Sequence, residues 1–383
     1  MKIEVYSPTI RRKEMDAVLT AMVEDKIGPG EQARLLIQIA KEHLHFDYCL
    51  ALRSPAIALY LALKALNLED GQGVLISALS PRYYARVIED LRLKPIYCDV
   101  LSSSPLIGRE TIEAAIAKET PQEGGVNPRC IVVHHTLGFV PDTAAIAELG
   151  LPVIDDRSQS YGFVAGGDTG EEKEGTAPAR PESRGAENLA GISGVFTILG
   201  LEERDMLTAG GGALLYAANR RDGSVLRSFG ELPPEYNLPD INAALGVIQF
   251  REAAKNLVKR REIARVYAQS ALRTRHKRFI QEMGEYNNYA FPLILETGLK
   301  DVKAYARKKD IIVESAFDDT LAALPGDASR DGSGENPSGG ASLEAGLCPE
   351  AYSLSLRTVL FPLYPRLSSQ EVERISKLIL TLP

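Results

Sequence analysis

Leu151-Pro152-Val153-Ile154-Asp155-Asp156-Arg157-Ser158-Gln159-Ser160-Tyr161-Gly162 is the stretch on which the fold turns. Its apolar run is short and continuous, and it stops on two carboxylates. Such a run reads as a strand buried on both faces, which belongs in a parallel sheet covered by helices. Ligands on open parallel sheets bind beyond the carboxyl ends of the strands, so Asp156 stands where a site is expected. The segment after Leu199 reaches the same edge by the same reasoning.

The flanking sequence repeats the theme. Gly73-Val74-Leu75-Ile76-Ser77, Pro95-Ile96-Tyr97-Cys98-Asp99 and Cys130-Ile131-Val132-Val133-His134 are further strands, as are Val195 to Leu199 and Gly212 to Tyr216. Ser54 to Leu66 and Arg82 to Arg92 between them have helical spacing. A long helix is expected from about Pro239, a residue suited to a first helical turn, to Ala271. The last helix starts at Ser368 with Glu371 completing a capping box, and Val372, Ile375, Leu378 and Ile379 form its apolar face. The fold class is α/β: a mostly parallel central sheet between helices, then a smaller α+β unit. With 383 residues the chain divides into a large domain, 1–250, and a small C-terminal domain, 251–383. Two polar stretches, 166–187 and 324–346, interrupt the pattern and read as mobile loops.

Hydrophobic content of 45% and charged content of 25% place the chain among soluble globular proteins. A net charge of −7 gives no electrostatic footprint for nucleic acid, and the basic run Lys255 to Arg261 reads as a solvated helix face. Cys49, Cys98, Cys130 and Cys348 are far apart without metal-ligand spacing, so buried reduced thiols are expected and no metal site. His134 and His135 point to opposite faces of a strand and cannot chelate one ion together. Met1 to Pro8 lacks the apolar core of a signal peptide, and no run approaches the ~20 residues that span a bilayer. A cytoplasmic protein without a membrane partner is expected.

Further segments carry a resemblance. They are Ile27-Gly28-Pro29-Gly30-Glu31, Ala58 to Leu66, His135-Thr136-Leu137-Gly138, Leu238-Pro239-Asp240-Ile241-Asn242-Ala243-Ala244-Leu245-Gly246 and Leu360-Phe361-Pro362-Leu363-Tyr364-Pro365. Together with Val153 to Gly162 and Met206 to Leu215, they resemble in order the DegT family of nucleotide-sugar aminotransferases. That family uses pyridoxal phosphate (PLP) on a PLP-transferase fold of type I. The resemblance covers most of the chain.

It implies that Asp156 pairs with the pyridinium nitrogen of PLP and that Gln159 lies near the ring oxygen and phosphate. Ser54 and Ala56 fall in the phosphate-binding turn, where Pro55 removes a backbone donor and Ala56 a hydroxyl. Thr197 replaces a phosphate-contacting serine, and Tyr83 or Tyr84 substitutes for an aromatic that stacks on the ring. Glu235 stands where the family has an asparagine that reaches the neighbouring subunit's phosphate. The family's Schiff-base lysine precedes the segment matched by Met206 to Leu215. Here the chain reads Gly200-Leu201-Glu202-Glu203-Arg204-Asp205, and no lysine occurs from Glu174 to Ala254. A Schiff base needs an amine that can lose its proton, and arginine effectively never does. No histidine lies between His135 and His276, which closes the family's histidine-based dehydration chemistry as well.

The expectation is therefore a family member with no covalently bound PLP and no catalytic residue of the ancestral kind. Arg204 reads either as an anion ligand or as a salt-bridged side chain beside Glu202 and Glu203. A sugar or nucleotide-sugar ligand is implied, with a role in polysaccharide synthesis. So is a homodimer, or a heterodimer with an active paralogue. Two alternatives stay open: an active aminotransferase using a lysine from elsewhere, Lys173 being nearest in sequence, and altered chemistry built on Arg204, Asp156, Glu202 and Glu203.

Overall fold

The computed structural model describes residues 2–119, 125–165, 194–282, 284–322 and 346–383. Apart from Gly346, the two stretches expected as loops lie outside these residues. The chain begins with α1 (Arg12–Val23), α2 (Glu31–Leu44), β1 (Tyr48–Leu52) and α3 (Pro55–Ala65). There follow β2 (Gly73–Ser77), α4 (Tyr83–Asp90), β3 (Lys94–Cys98), α5 (Arg109–Glu119), β4 (Pro128–His134) and α6 (Thr143–Ala147). Next come β5 (Val153–Asp156), β6 (Val164–Ala165), β7 (Phe196–Gly200), β8 (Ala213–Ala217), α7 (Arg220–Arg227) and α8 (Asp240–Ala271). The remainder holds β9 (Gly284–Glu285), β10 (Phe291–Ile294), α9 (Leu299–Arg307), β11 (Glu314–Ser315), α10 (Pro349–Arg357), β12 (Thr358–Phe361) and α11 (Ser369–Leu380).

The central sheet has seven strands in the order β1-β8-β7-β5-β4-β2-β3. Neighbouring strands from β7 through to β3 pair in parallel, whereas β8 runs against both β7 and β1. The expected mostly parallel sheet is what forms, with one reversed strand that the sequence did not single out. Alternation along each strand sorts side chains to two faces. On β8, Ala213, Leu215 and Ala217 join the core under α3 and α4, while Leu214 and Tyr216 join Leu36, Val247 and Phe250 under α2 and α8.

Local sequence explains the elements that shape the site. Ser54 accepts a hydrogen bond from the Ile57 amide and Pro55 fills the first helical position, so α3 starts sharply beyond β1. Its Ala58, Leu59, Ala62 and Leu63 are buried on the sheet, each leucine worth roughly 1.5–3 kcal/mol. α4 has apolar residues on one side only and lays Tyr84 against β4 and β5.

α8 spans 32 residues, and its second half packs Ile263, Tyr267 and Ala271 into a separate core with β10, β12 and α11. The domain division expected near residue 250 falls within this continuous helix. β10, β12 and β11 form a small antiparallel sheet, and an isolated parallel bridge joins Ile3 to Ile311 ahead of β11. The capping box at Ser368 and Glu371 forms as read. Pro239 is the residue that precedes α8, with extended backbone, one position before its expected place. All four cysteines are buried free thiols, and among the described residues no group of histidine, cysteine and carboxylate side chains could hold a metal. No described helix is long and apolar enough to cross a membrane.

Candidate functional site

At the carboxyl end of β5 the two aspartates go to opposite faces. Asp156 shares its face with Ile154, toward α3 and α4, and is fully enclosed. The Tyr84 hydroxyl donates to Oδ2, and the Ser158 hydroxyl and amide donate to Oδ1, the amide at 3.0 Å. Both carboxylate oxygens are thus engaged from within the chain. Burial, with Asp156 adding to it, pushes the Tyr84 phenol well above its ordinary range, so it stays protonated and remains a donor. His134 stacks edge-on to Tyr84 at 6.0 Å, and burial lowers its pKa to about 4, which leaves the ring neutral near pH 7.

Asp155 faces the other way. Its Oδ1 lies 2.7 Å from His135 Nε2 and its Oδ2 accepts from Arg157 Nε at 2.6 Å. His135 Nδ1 is 2.7 Å from Ser160 Oγ. Burial alone would raise the Asp155 carboxyl, but Arg157 and His135 outweigh it and hold it well below the usual carboxylate range. His135 is thus packed among polar partners, Asp155 on one ring nitrogen and Ser160 on the other. Spacing gave no hint of it, because the partners come from β4, β5 and the turn after β5.

Gln159 is turned to its own surroundings: its Oε1 accepts from the Leu137 amide at 2.7 Å, and its carbonyl accepts from Asn287 Nδ2 at 2.7 Å. Thr197 does not join Asp156. It pairs across the sheet with Asp155 and Tyr216, on the face of Leu199 under α2 and α8, because its parity along β7 is opposite to that of Ile198 beside Asp156. Ser54 spends its acceptor capacity on capping α3, and Ala56 is half-buried in the first turn. Tyr84 reaches the site through its hydroxyl, a role that a search for a stacking ring does not anticipate.

The segment from Leu201 to Gly212 closes β7 onto β8. Leu201 exchanges hydrogen bonds with Gly212, Gly211 and Ala209, and Gly210, Gly211 and Gly212 all take positive φ. The glycine run allows this tight turn, since glycine alone takes positive φ without steric cost. Glu202 is part of that turn, its Oε1 accepting from the Gly212 amide at 3.3 Å. Arg204 is salt-bridged, but to neither adjacent glutamate: its Nη1 meets Glu314 of β11 at 2.9 Å, and its guanidinium stacks 5.2 Å from the Tyr6 ring. Asp205 instead turns inward, near Ser158 and Gly200, and accepts from the Glu202 amide at 2.8 Å. Burial, with repulsion from Asp156 and Glu202, drives its carboxyl well above the ordinary range despite that amide. Sequence reading passed over Asp205; its only signal was a third acid in a short loop. Asp205 also lines a narrow cleft with Tyr6, Thr9, Gln249, Asn256 and Arg260.

A model of the DegT/DnrJ/EryC1/StrS aminotransferase family matches residues 8–177 and 217–380. This chain belongs to that family. The matched parts flank the segment that carries β7 and Arg204. An L-glutamine:2-deoxy-scyllo-inosose aminotransferase of Streptomyces lividus is 24% identical over 276 residues, 68% of this chain and 58% of the relative. Spr1654 of Streptococcus pneumoniae, solved in a PLP form, has a TM-score of 0.80 at 16% identity, covering 100% of this chain and 98% of that one. A GDP-4-keto-6-deoxymannose-3-dehydratase carrying GDP-perosamine has a TM-score of 0.75 at 13% identity, covering 98% and 100%.

PLP is the family's cofactor, and its fit here is mixed. Asp156 stands at the strand end, with Tyr84 on Oδ2 and Ser158 twice on Oδ1, which leaves one acceptor site on Oδ2. Asp205 lies close enough to Asp156 and Glu202 for their charges to raise its carboxyl, so this corner offers acidic rather than basic side chains. Arg204 is drawn off to Glu314, and no lysine stands between Glu174 and Ala254. These residues do not fit a covalently held PLP.

Proposed function

We propose that this family member binds a sugar or nucleotide sugar without Schiff-base chemistry, and serves polysaccharide synthesis as a ligand-binding or partner subunit. The observation that carries the reading is the absence of any lysine from Glu174 to Ala254, with Arg204, in the segment after β7, held by Glu314. An electron sink needs a carboxylate free to meet the pyridine nitrogen. Here Tyr84 and Ser158 already place three hydrogen bonds on that carboxylate, and the segment after β7 offers no lysine to hold the ring. A sugar asks for less, since its hydroxyl groups exchange hydrogen bonds with carboxylates and amides and need no Schiff base.

The test is a PLP titration of the purified protein followed by borohydride reduction. No visible absorbance band and no reducible adduct are expected. An adduct located by peptide mapping would overturn the reading and support an active aminotransferase. Lys173, outside the described residues, is the first lysine to check, by asking whether Lys173→Ala removes the adduct.

The α1 helix supports a dimer as part of the same proposal. Met15, Leu19 and Met22 lie at helical spacing and are half exposed, and Val23 and Ile27 continue the stripe. A face of that kind on a globular protein marks an association surface. Whether the second chain is a copy or an active paralogue is read by co-expression and native mass.

A further inference from the structure

The stretch Leu272-Arg273-Thr274-Arg275-His276-Lys277-Arg278-Phe279-Ile280 leaves the C-terminal end of α8 and runs along β10. It is held rigidly. The Lys277 amide donates to the Ile294 carbonyl at 3.0 Å and the Ile294 amide returns the bond at 2.8 Å. His276 and Phe279 are buried, and the His276 ring accepts from the Glu296 amide at 3.3 Å. What remains outside is two kinds of side chain. Arg273, Arg275, Lys277 and Arg278 are exposed cations. Leu272 and Ile280, at 81% and 79% exposure, are among the most exposed large apolar side chains of the described residues.

Few acids answer these charges. Lys277 meets Glu296 at 3.3 Å, and Arg278 lies 5.9 Å from the Phe291 ring. Among the described residues Arg273 and Arg275 have no acidic partner. The α8 C-terminus attracts cations and accounts for part of the cluster. It does not account for Leu272 and Ile280, whose exposure costs free energy in water. Cations flanked by projecting aliphatic side chains match one surface in both respects, a lipid bilayer with anionic headgroups over an apolar interior. Single-stranded nucleic acid would call instead for accessible aromatic side chains to stack on bases, and the one aromatic here, Phe279, is buried; a duplex would leave the exposed Leu272 and Ile280 without a partner. The chain as a whole carries −7, so the rest of the molecule is repelled by such a surface and this edge is the part that faces it.

We infer that the stretch from Leu272 to Ile280 is a peripheral docking surface for anionic phospholipid bilayers. The absence of a spanning helix among the described residues does not bear on it, since the contact is confined to the interface.

The experiment is co-sedimentation of the full chain with vesicles of phosphatidylcholine, with and without phosphatidylglycerol, at low and high salt. Sedimentation with the phosphatidylglycerol vesicles only, relieved by salt, is expected. Arg273→Gln with Arg275→Gln should lower the partition about fivefold per charge removed. Leu272→Ser with Ile280→Ser should lower it further while leaving the salt dependence in place. All four residues are exposed, and an unchanged circular dichroism spectrum and melting temperature confirm that the variants fold. Failure to sediment, equal sedimentation with both vesicle types, or indifference to either pair of substitutions would overturn the inference. Tighter binding to single-stranded nucleic acid, lost with the two arginines and unaffected by the two serines, would overturn it in favour of a nucleic-acid site.

Discussion

Asp205 and His134 are the residues whose environments bear most directly on measurable behaviour. The Asp205 carboxyl is raised well above its ordinary value by burial and by Asp156 and Glu202. As pH rises the unfolded chain releases this proton first, so stability falls above the ordinary carboxylate range. Asp205→Asn keeps the acceptor for the Glu202 amide and removes the charge. It should raise the melting temperature at neutral pH, by on the order of 1 kcal/mol in stability, with little effect in acid. A melting temperature that falls at neutral pH would contradict this. His134 works in the opposite window. Its pKa drops from 6.5 to about 4 through burial, so the unfolded imidazole takes up a proton first as pH falls. Stability is lost between those two values, by roughly 3 kcal/mol at most. His43 and His276 are lowered too, chiefly by burial, and contribute in the same direction. The Asp155 contribution runs out only below the ordinary carboxylate range, because Arg157 and His135 hold that carboxyl low against its burial. Urea midpoints of His134→Gln between pH 7 and pH 4 should therefore fall less steeply than those of the wild type.

Single side chains also join whole elements. Asp240, the first residue of α8, is buried and accepts from the Gln32 and Ala33 amides at 3.0 and 2.9 Å. It caps α2 from another helix, where Gly30 at the cap position has no side chain to do so. Asp240→Ala should cost about 1–3 kcal/mol by leaving two amides unmet, read by chemical denaturation. Asp240→Asn, which keeps an acceptor, should cost less. The β7–β8 connection depends on Gly212, whose φ of 124° and close approach to Leu238 exclude a side chain. Gly212→Ala should destabilise the fold more than a surface substitution, since backbone and packing oppose it together.

At the scale of the whole molecule, the apolar face of α1 and the basic edge after α8 divide the surface into two kinds of contact. Met15→Glu with Leu19→Glu should shift the protein from dimer to monomer in analytical ultracentrifugation and leave vesicle binding unchanged. Substitutions at Leu272 and Ile280 should do the reverse. A dimer that survives the α1 change would place the association face elsewhere.

The sequence by itself determined the alternation of strands and helices, the position of Asp156 at a strand end, the capped last helix and the absence of a lysine. Each is a local property: periodicity, turn chemistry or the identity of one side chain. Seven segments in order were enough to point to the family, because each is a short local pattern legible without its partners. Only the tertiary structure decided which groups meet. It sent Asp155 and Asp156 to opposite faces, brought Tyr84 from α4 onto Asp156, set Thr197 on the far side of the sheet and drew Arg204 to Glu314. Those outcomes depend on strand order and side-chain parity across elements distant in sequence, and no local window contains them. The hydrogen bond from Tyr84 to Asp156 is such a long-range contact, joining α4 to the end of β5 across 72 positions of sequence.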